Sequence, residues 1–382
     1  MSQENEAGRK ISCTQCEWTM EVPSGTPEEL IRNDCPICSS SANFNEPDDQ
    51  REYSGFDFLP PELGRKEIDL LELEQSPSGS NLDRKTISGF VNRWMPMILG
   101  AQVIADMMRR GIELHGEQVL DKFTETSVSY RKALQEIENR YGISRGMRLS
   151  DGFPEDDEKA IRRFARTYMG ADPLKGSFSE GAGLGQEMGL ITLDYSKDGE
   201  EESVKMRLTE AGGEALKIKL YREPSLETES HKAAGAGEVT LPRWMDADDV
   251  RRVFHIIETR SNAEFMWIKF LLQQIDASVR GLTIVDLIER EIERELTEGL
   301  TKRWFESRSN IDTVTKMTNE NASNEEIEER LGKKISSTIP GTISRMKELS
   351  LIFQFKRARQ TYYKATRSGR QWVVTWDKYD RH

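Results

Sequence analysis

Two phrases of one construction lie far apart in this chain: VKMRLTEAGGEAL at Val204 to Leu216 and YYKATRSGRQWVV at Tyr362 to Val374. Each carries a basic residue, then Thr, two residues, Gly, and an apolar residue downstream. Each follows a short apolar phrase, MGLITL (Met188 to Leu193) and LSLIFQF (Leu349 to Phe355). An outgoing apolar strand, a turn and a returning strand make a β-hairpin. The repetition constrains the chain to build a similar hairpin-bearing unit twice. The halves 86–222 and 243–376 agree in length and order, helical patterning first and phrase last, with RRGIEL and VRGLTI in similar places. Duplication of one unit is one explanation, and the easy self-similarity of helical sequence is the other.

The length of 382 residues exceeds one ordinary core, so two or three domains are expected. Apolar residues make up 36% and charged residues 31%, the balance of a mostly helical chain with much exposed charge. The most apolar stretch, WMPMILGAQVIADMMRRG (Trp94 to Gly111), is interrupted by Pro96, Asp106 and two arginines. It reads as a buried helix and not a membrane span. The N-terminus carries no apolar signal region, so the expected location is the cytoplasm. The net charge of −12 is unevenly spread. Residues 1–80 hold 6 Lys/Arg against 17 Asp/Glu, whereas residues 341–382 hold 10 against 3. An acidic chain binds nucleic acid poorly as a whole. Its basic C-terminal module can still do so, because screening limits repulsion to about 8 Å.

All four cysteines lie in the first 38 residues, as CTQC (Cys13, Cys16) and CPIC (Cys35, Cys38). Each C-x2-C turn aims two sulfurs at one ion, and the intervening segment brings the turns together. This is the spacing of a tetrathiolate Zn²⁺ site, which is closed to water and therefore structural. Disulfides are the alternative, disfavoured without a secretion signal. Trp18, Met20, Val22, Leu30 and Ile31 are nearly all the apolar content of the segment, so metal would supply its folding energy. Residues 11–45 resemble the zinc ribbons of transcription and translation proteins. Arg32 is the sole basic residue between the cysteines, which favours contact with protein.

Residues 46–85 read as a flexible linker, with RKEIDLLELE its one amphipathic piece, and residues 223–242 as a second linker. Residues 86–222 read as a helical region ending in the first hairpin, and 243–307 as a second helical region. Within it, Leu282 to Arg308 is a candidate dimer helix. In 308–376, ASNEEIEERLG reads as a capped helix stopping at Gly332, KKIS as a turn, and STIPGTISRMKELSLI as a second helix. Two helices across a turn, then a hairpin, is the winged helix-turn-helix order. YKATRSGRQW resembles the wing-return phrase of MarR- and PadR-type regulators, with Thr366 and Gly369 in the expected places and Ala365 where Leu is usual. The expected fold class is thus mainly α with small β-hairpins: an N-terminal zinc ribbon and two helical winged-helix units. The combination resembles archaeal proteins.

If the second unit binds duplex DNA, its recognition helix presents Thr342, Ser344, Arg345 and Lys347, and its wing presents Lys356, Arg357, Arg359, Lys364, Arg367 and Arg370. Cations on a hairpin beside such a helix suit phosphate contact. Pairing of these cations with the acidic N-terminus is the competing explanation. The first unit lacks this chemistry. Asp194, Asp198, Glu200, Glu201 and Glu202 crowd its wing, and FSEGAGLGQEMGLI offers four glycines and no Lys or Arg. It reads as a protein-contact module. The chain contains no phosphate loop, nucleophile elbow or paired metal-binding histidines, so no enzyme is expected. The expected function is that of a transcription regulator or transcription-factor-like protein with a protein partner in the transcription machinery. A scaffold subunit using both winged helices for protein contacts is the alternative.

Overall fold

The computed structural model describes residues 9–13, 19–22, 42–44, 56, 58–77, 87, 91–173, 177–179, 183–198, 201–221, 223–230, 237–298 and 323–379. The chain divides into two compact units, Met1–Asp57 and Phe58–His382. The first contains β1 (Arg9–Cys13), β2 (Thr19–Val22) and β3 (Ala42–Phe44) in an antiparallel sheet of order β2-β1-β3. Ser12 faces Thr19 on one side of the central strand, and Cys13 faces Ala42 on the other.

The second unit is mainly helical, with small two-stranded sheets. A short helix α1 (Arg65–Ile68) precedes α2 (Met95–Arg109), which is buried over nearly its whole length. Pro96 sits in the first turn of α2, where a missing N–H leaves no bond unmade. An apolar surface on all sides makes this the central helix of the first half. Around it lie α3 (Gly116–Arg140) and α4 (Glu158–Met169); α4 is capped by Asp157 and stopped by left-handed Gly170. The strands β4 (Ala171–Asp172) and β5 (Ser177–Phe178) and one turn of helix, α5 (Leu184–Glu187), follow. The first hairpin is β6 (Ile191–Asp198) with β7 (Glu201–Leu208), running into α6 (Glu210–Ala215). No described helix is long and apolar enough to cross a membrane.

Both expected linkers require correction. Within 223–242, β8 (Ser225–Ser230) and β9 (Glu238–Arg243) pair as a hairpin. Within 46–85, the described residues 58–77 dock on the body: Glu74 N–H donates to Leu208 O at 2.9 Å and Glu210 N–H donates to Glu74 O at 2.9 Å, adding a parallel bridge beside β7.

The second half begins with α7 (Ala247–Arg260), capped by Asp246, and α8 (Asn262–Ala277). The candidate dimer helix is described only as α9 (Ile284–Glu298). Next comes α10 (Asn324–Glu348), then β10 (Ile352–Arg357), β11 (Gln360–Ala365) and α11 (Arg367–Tyr379). The expected start at Ser323 is present, with a capping box to Glu326. The expected stop is not: α10 is one helix of 25 residues running through Gly332 and Pro340. A glycine costs a helix only about 1 kcal/mol. Against it stand Ile335, Ile339, Ile343 and Met346, all buried along one continuous stripe.

The two hairpins are framed alike. A left-handed residue ends the preceding helix, Gly189 (φ 61°) and Ser350 (φ 54°). The next residue, Leu190 or Leu351, lends its carbonyl to the N–H of Thr209 (3.0 Å) or Thr366 (2.9 Å). Each Thr hydroxyl donates to the carbonyl of the left-handed residue and accepts the N–H of Gly212 or Gly369. Three residues before each Thr, the returning strand binds an earlier loop: Met206 N–H to Leu114 O, and Tyr363 N–H to Leu282 O. Those loops are the RRGIEL and VRGLTI phrases.

Candidate functional site

The four helix residues expected to read DNA lie at a seam between the halves, and the structure corrects that assignment. Arg345 is fully buried and pairs with the equally buried Glu264 of α8 at 2.7 Å. It also donates to Thr342 Oγ1 at 2.9 Å and to Val91 O, and its guanidinium lies 5.7 Å from the Trp94 ring. Thr342 accepts from Trp267 Nε1 at 3.0 Å. The Ser344 carbonyl accepts from Arg93 at 2.9 Å. Lys347 Nζ donates to Gly146 O at 2.6 Å and Gln354 Oε1 at 3.0 Å. Glu348 then takes the Trp94 and Met95 N–H groups at 2.6 and 2.9 Å, an anion at the positive end of α2. Thr342, Arg345 and Lys347 therefore have no duplex-facing surface in this fold. The exposed side of α10 sets Glu325, Glu326 and Glu329 against Arg330 and Lys333, with Lys333 paired to Glu329 at 2.6 Å.

Burial dominates the ionisation of this seam. It pushes the Glu348 carboxyl up to about 7, against the opposing pull of Arg93, the two N–H donors and Arg345. It lowers the Lys347 ammonium to about 8, with Arg93 adding to the effect. The sequence reading missed Glu264 and Glu348. The one available signal is a lone carboxylate within the largely apolar NAEFMWIKFLL.

The six hairpin-side cations fall into two groups. Lys364 is tied to the carbonyls that close α8, Asp276 O at 3.3 Å and Ser278 O. Arg370 donates to Ala365 O at 3.2 Å and lies 3.9 Å from Glu229 of β8. The Arg367 N–H donates to the same Glu229 at 2.7 Å, while its side chain is exposed. Lys356 and Arg359 are exposed and Arg357 is half-buried. The tip is a two-residue turn in which Ala358 (φ 48°) and Arg359 (φ 69°) are both left-handed. Such turns favour Asn and Gly. From Leu349 to Trp376 the chain carries these six cations and no carboxylate.

The first hairpin differs. Asp194 pairs with Arg207 at 3.3 Å, and Glu113 pairs with Lys205. Cys16, Cys35 and Cys38 lie outside the described residues, and Cys13 is placed only as the last residue of β1. No protein-family model, curated protein or solved structure matches the chain.

Proposed function

We propose that this is a non-enzymatic, zinc-ribbon, tandem winged-helix protein of the transcription apparatus that touches nucleic acid through its second hairpin, by backbone contact and without reading sequence. The observation that carries this reading is the carboxylate-free hairpin, with Lys356 and Arg359 exposed at a tip held in a left-handed turn. A phosphate backbone needs only cations presented beyond the body of the protein. Base-edge reading would need the polar side chains nearest the hairpin to face outward, and Thr342, Arg345 and Lys347 of α10 are buried.

The winged-helix assignment is supported by what both halves share: a helix, a loop that bridges to the returning strand, a second helix, and further on a helix end, a hairpin and a Thr-capped helix, with the β4–β5 pair present in the first half alone among the described residues. The ribbon assignment is supported by the three-stranded sheet and by Cys13 closing β1 where the β1–β2 connection holds Cys16. Cys13, Cys16, Cys35 and Cys38 would hold Zn²⁺ as four thiolates, and the ion would supply folding energy and no chemistry.

A second reading, a scaffold subunit that contacts only proteins, is favoured by one specific observation: the expected recognition residues are sealed between the halves. Fluorescence anisotropy with a labelled duplex across a salt series separates the two. Salt-steep binding is expected, lost in a Lys356→Glu, Arg359→Glu, Arg367→Glu variant that melts like the parent. Absence of binding at low salt to the duplex and to either of its separated strands, or binding untouched by the charge reversals, leaves the scaffold reading.

A further inference from the structure

The hairpin carries more than charge. On one of its faces, Phe355 and Tyr362 stand opposite each other across the strands, with ring centroids 5.8 Å apart and planes inclined by 25°. The Arg357 guanidinium lies 4.3 Å from the centroid of the Tyr362 ring. Phe353 continues the series inward, 5.9 Å from Phe355. The inner end is fixed in the core. Phe355 packs on Gly281, where a Cβ would come within 3.3 Å of its ring and 2.8 Å of the Tyr363 carbonyl. Tyr362 is held by its hydroxyl, which donates to Gln360 Oε1 at 3.0 Å. The outer layer of this stack is a planar cation, half-exposed, in a hairpin whose Lys356 and Arg359 are also exposed.

We infer that the Arg357–Tyr362–Phe355 stack is a platform for an unpaired nucleobase, so that the hairpin's ligand is a single-stranded segment of nucleic acid. This rests on the hairpin being the nucleic-acid contact proposed above. A guanidinium already lying on an aromatic ring is oriented to stack its other side on a base. Flanking cations take the neighbouring phosphates. Within a duplex the π-faces of bases are covered by their neighbours, so the platform adds nothing there. An acidic peptide would satisfy the charges but has no plane to lay on Arg357. A protein interface of ordinary kind needs an apolar anchor, and the outer layer of this face is an arginine.

The test uses the full zinc-loaded chain and two labelled probes, a short oligothymidylate and an abasic oligomer of equal length. Both have the same phosphates, and only one has bases. Oligothymidylate is expected to bind at least about fivefold more tightly, the lower end of what one stacked base contributes. Arg357→Lys keeps the charge and removes the plane, and should erase the difference while leaving abasic binding unchanged. Lys356→Glu with Arg359→Glu should weaken both probes. Equal affinity for the two probes, a difference that survives Arg357→Lys, or competition by polyglutamate as effective as by oligothymidylate would each overturn the inference. In the first two cases loss of binding in the charge-reversal variant still upholds the hairpin as the contact, whereas a charge-reversal variant that binds like the parent removes both readings. Should Arg357→Lys lower the thermal midpoint, Tyr362→Leu provides a second route to the same comparison.

Discussion

At the scale of single residues, the Thr-x-x-Gly phrase is a backbone lock. Thr209 and Thr366 each tie a returning strand to the loop that launched it, and the glycine two positions beyond their neighbour lets the carbonyl in. A Cβ on Gly369 would lie 2.1 Å from Leu351 O, and one on Gly212 would lie 2.4 Å from Leu190 O. Backbone cannot yield as a side-chain end does, so Gly369→Ala and Gly212→Ala should each cost about 2 kcal/mol or more, read as urea midpoints. Equal sensitivity in both halves is expected, since the geometry is the same. Glu348 supports a second prediction. Burial raises its folded carboxyl from the ordinary 4.5 to about 7. Its contribution is therefore fully present below the unfolded value and is lost as pH rises through about 7. Lys347 is lowered to about 8, so its contribution is present above its unfolded value and is lost as pH falls through about 8. Stability measured against pH should fall between about 4.5 and 7, and Glu348→Gln should flatten that limb without altering the alkaline one. An unchanged acid limb in the variant would place the titration elsewhere.

At the scale of elements, the second hairpin combines a strained tip with exposed cations. Ala358 and Arg359 occupy a conformation that costs a non-glycine residue roughly 1 kcal/mol each. Replacing the tip by Asn-Gly, as Ala358→Asn with Arg359→Gly, should raise the thermal midpoint by relieving that cost. The same variant should bind nucleic acid more weakly, because the outermost cation is gone. Gains in both stability and affinity would show that Arg359 does not touch the ligand. These hairpins were the most legible part of the sequence, because alternation and the Thr-x-x-Gly phrase are local. So was the start of α10 at Ser323. Its continuation is less legible, because Gly332 has the look of a helix stop while the stripe of Ile335, Ile339, Ile343 and Met346 carries the helix on beyond it. The partners of Arg345 were illegible for a different reason. Glu264 lies 81 positions away, and a polar residue on a helix looks the same in sequence whether solvent or a buried carboxylate awaits it. The docking of Glu74 beside β7 was hidden likewise, since parallel pairing leaves no local signature.

At the scale of the molecule, the two halves share ties that neither can supply alone. Arg260 of α7 donates to Met188 O at 3.0 Å, just before the first hairpin, and to Pro77 O at 3.0 Å. The segment ahead of α2 offers Ile87 N–H to Glu264 at 3.0 Å and Val91 O to Arg345. The described halves of residues 58–382 should therefore unfold in one transition, read as a single urea midpoint by far-UV circular dichroism and by tryptophan fluorescence. The Arg345–Glu264 pair tests this coupling most sharply. Arg345→Met strands a buried carboxylate and should cost about 3–5 kcal/mol. Adding Glu264→Gln removes that charge and should recover a substantial part of the loss, since replacing both members of a buried pair is far milder than removing one. Because Arg345 also holds Val91 and lies against Trp94, the loss should appear at the same denaturant concentration in hydrogen exchange of α2 as in that of α10. Protection lost in α10 while α2 and the first hairpin stay protected would mean that the halves are separate folding units resting against each other.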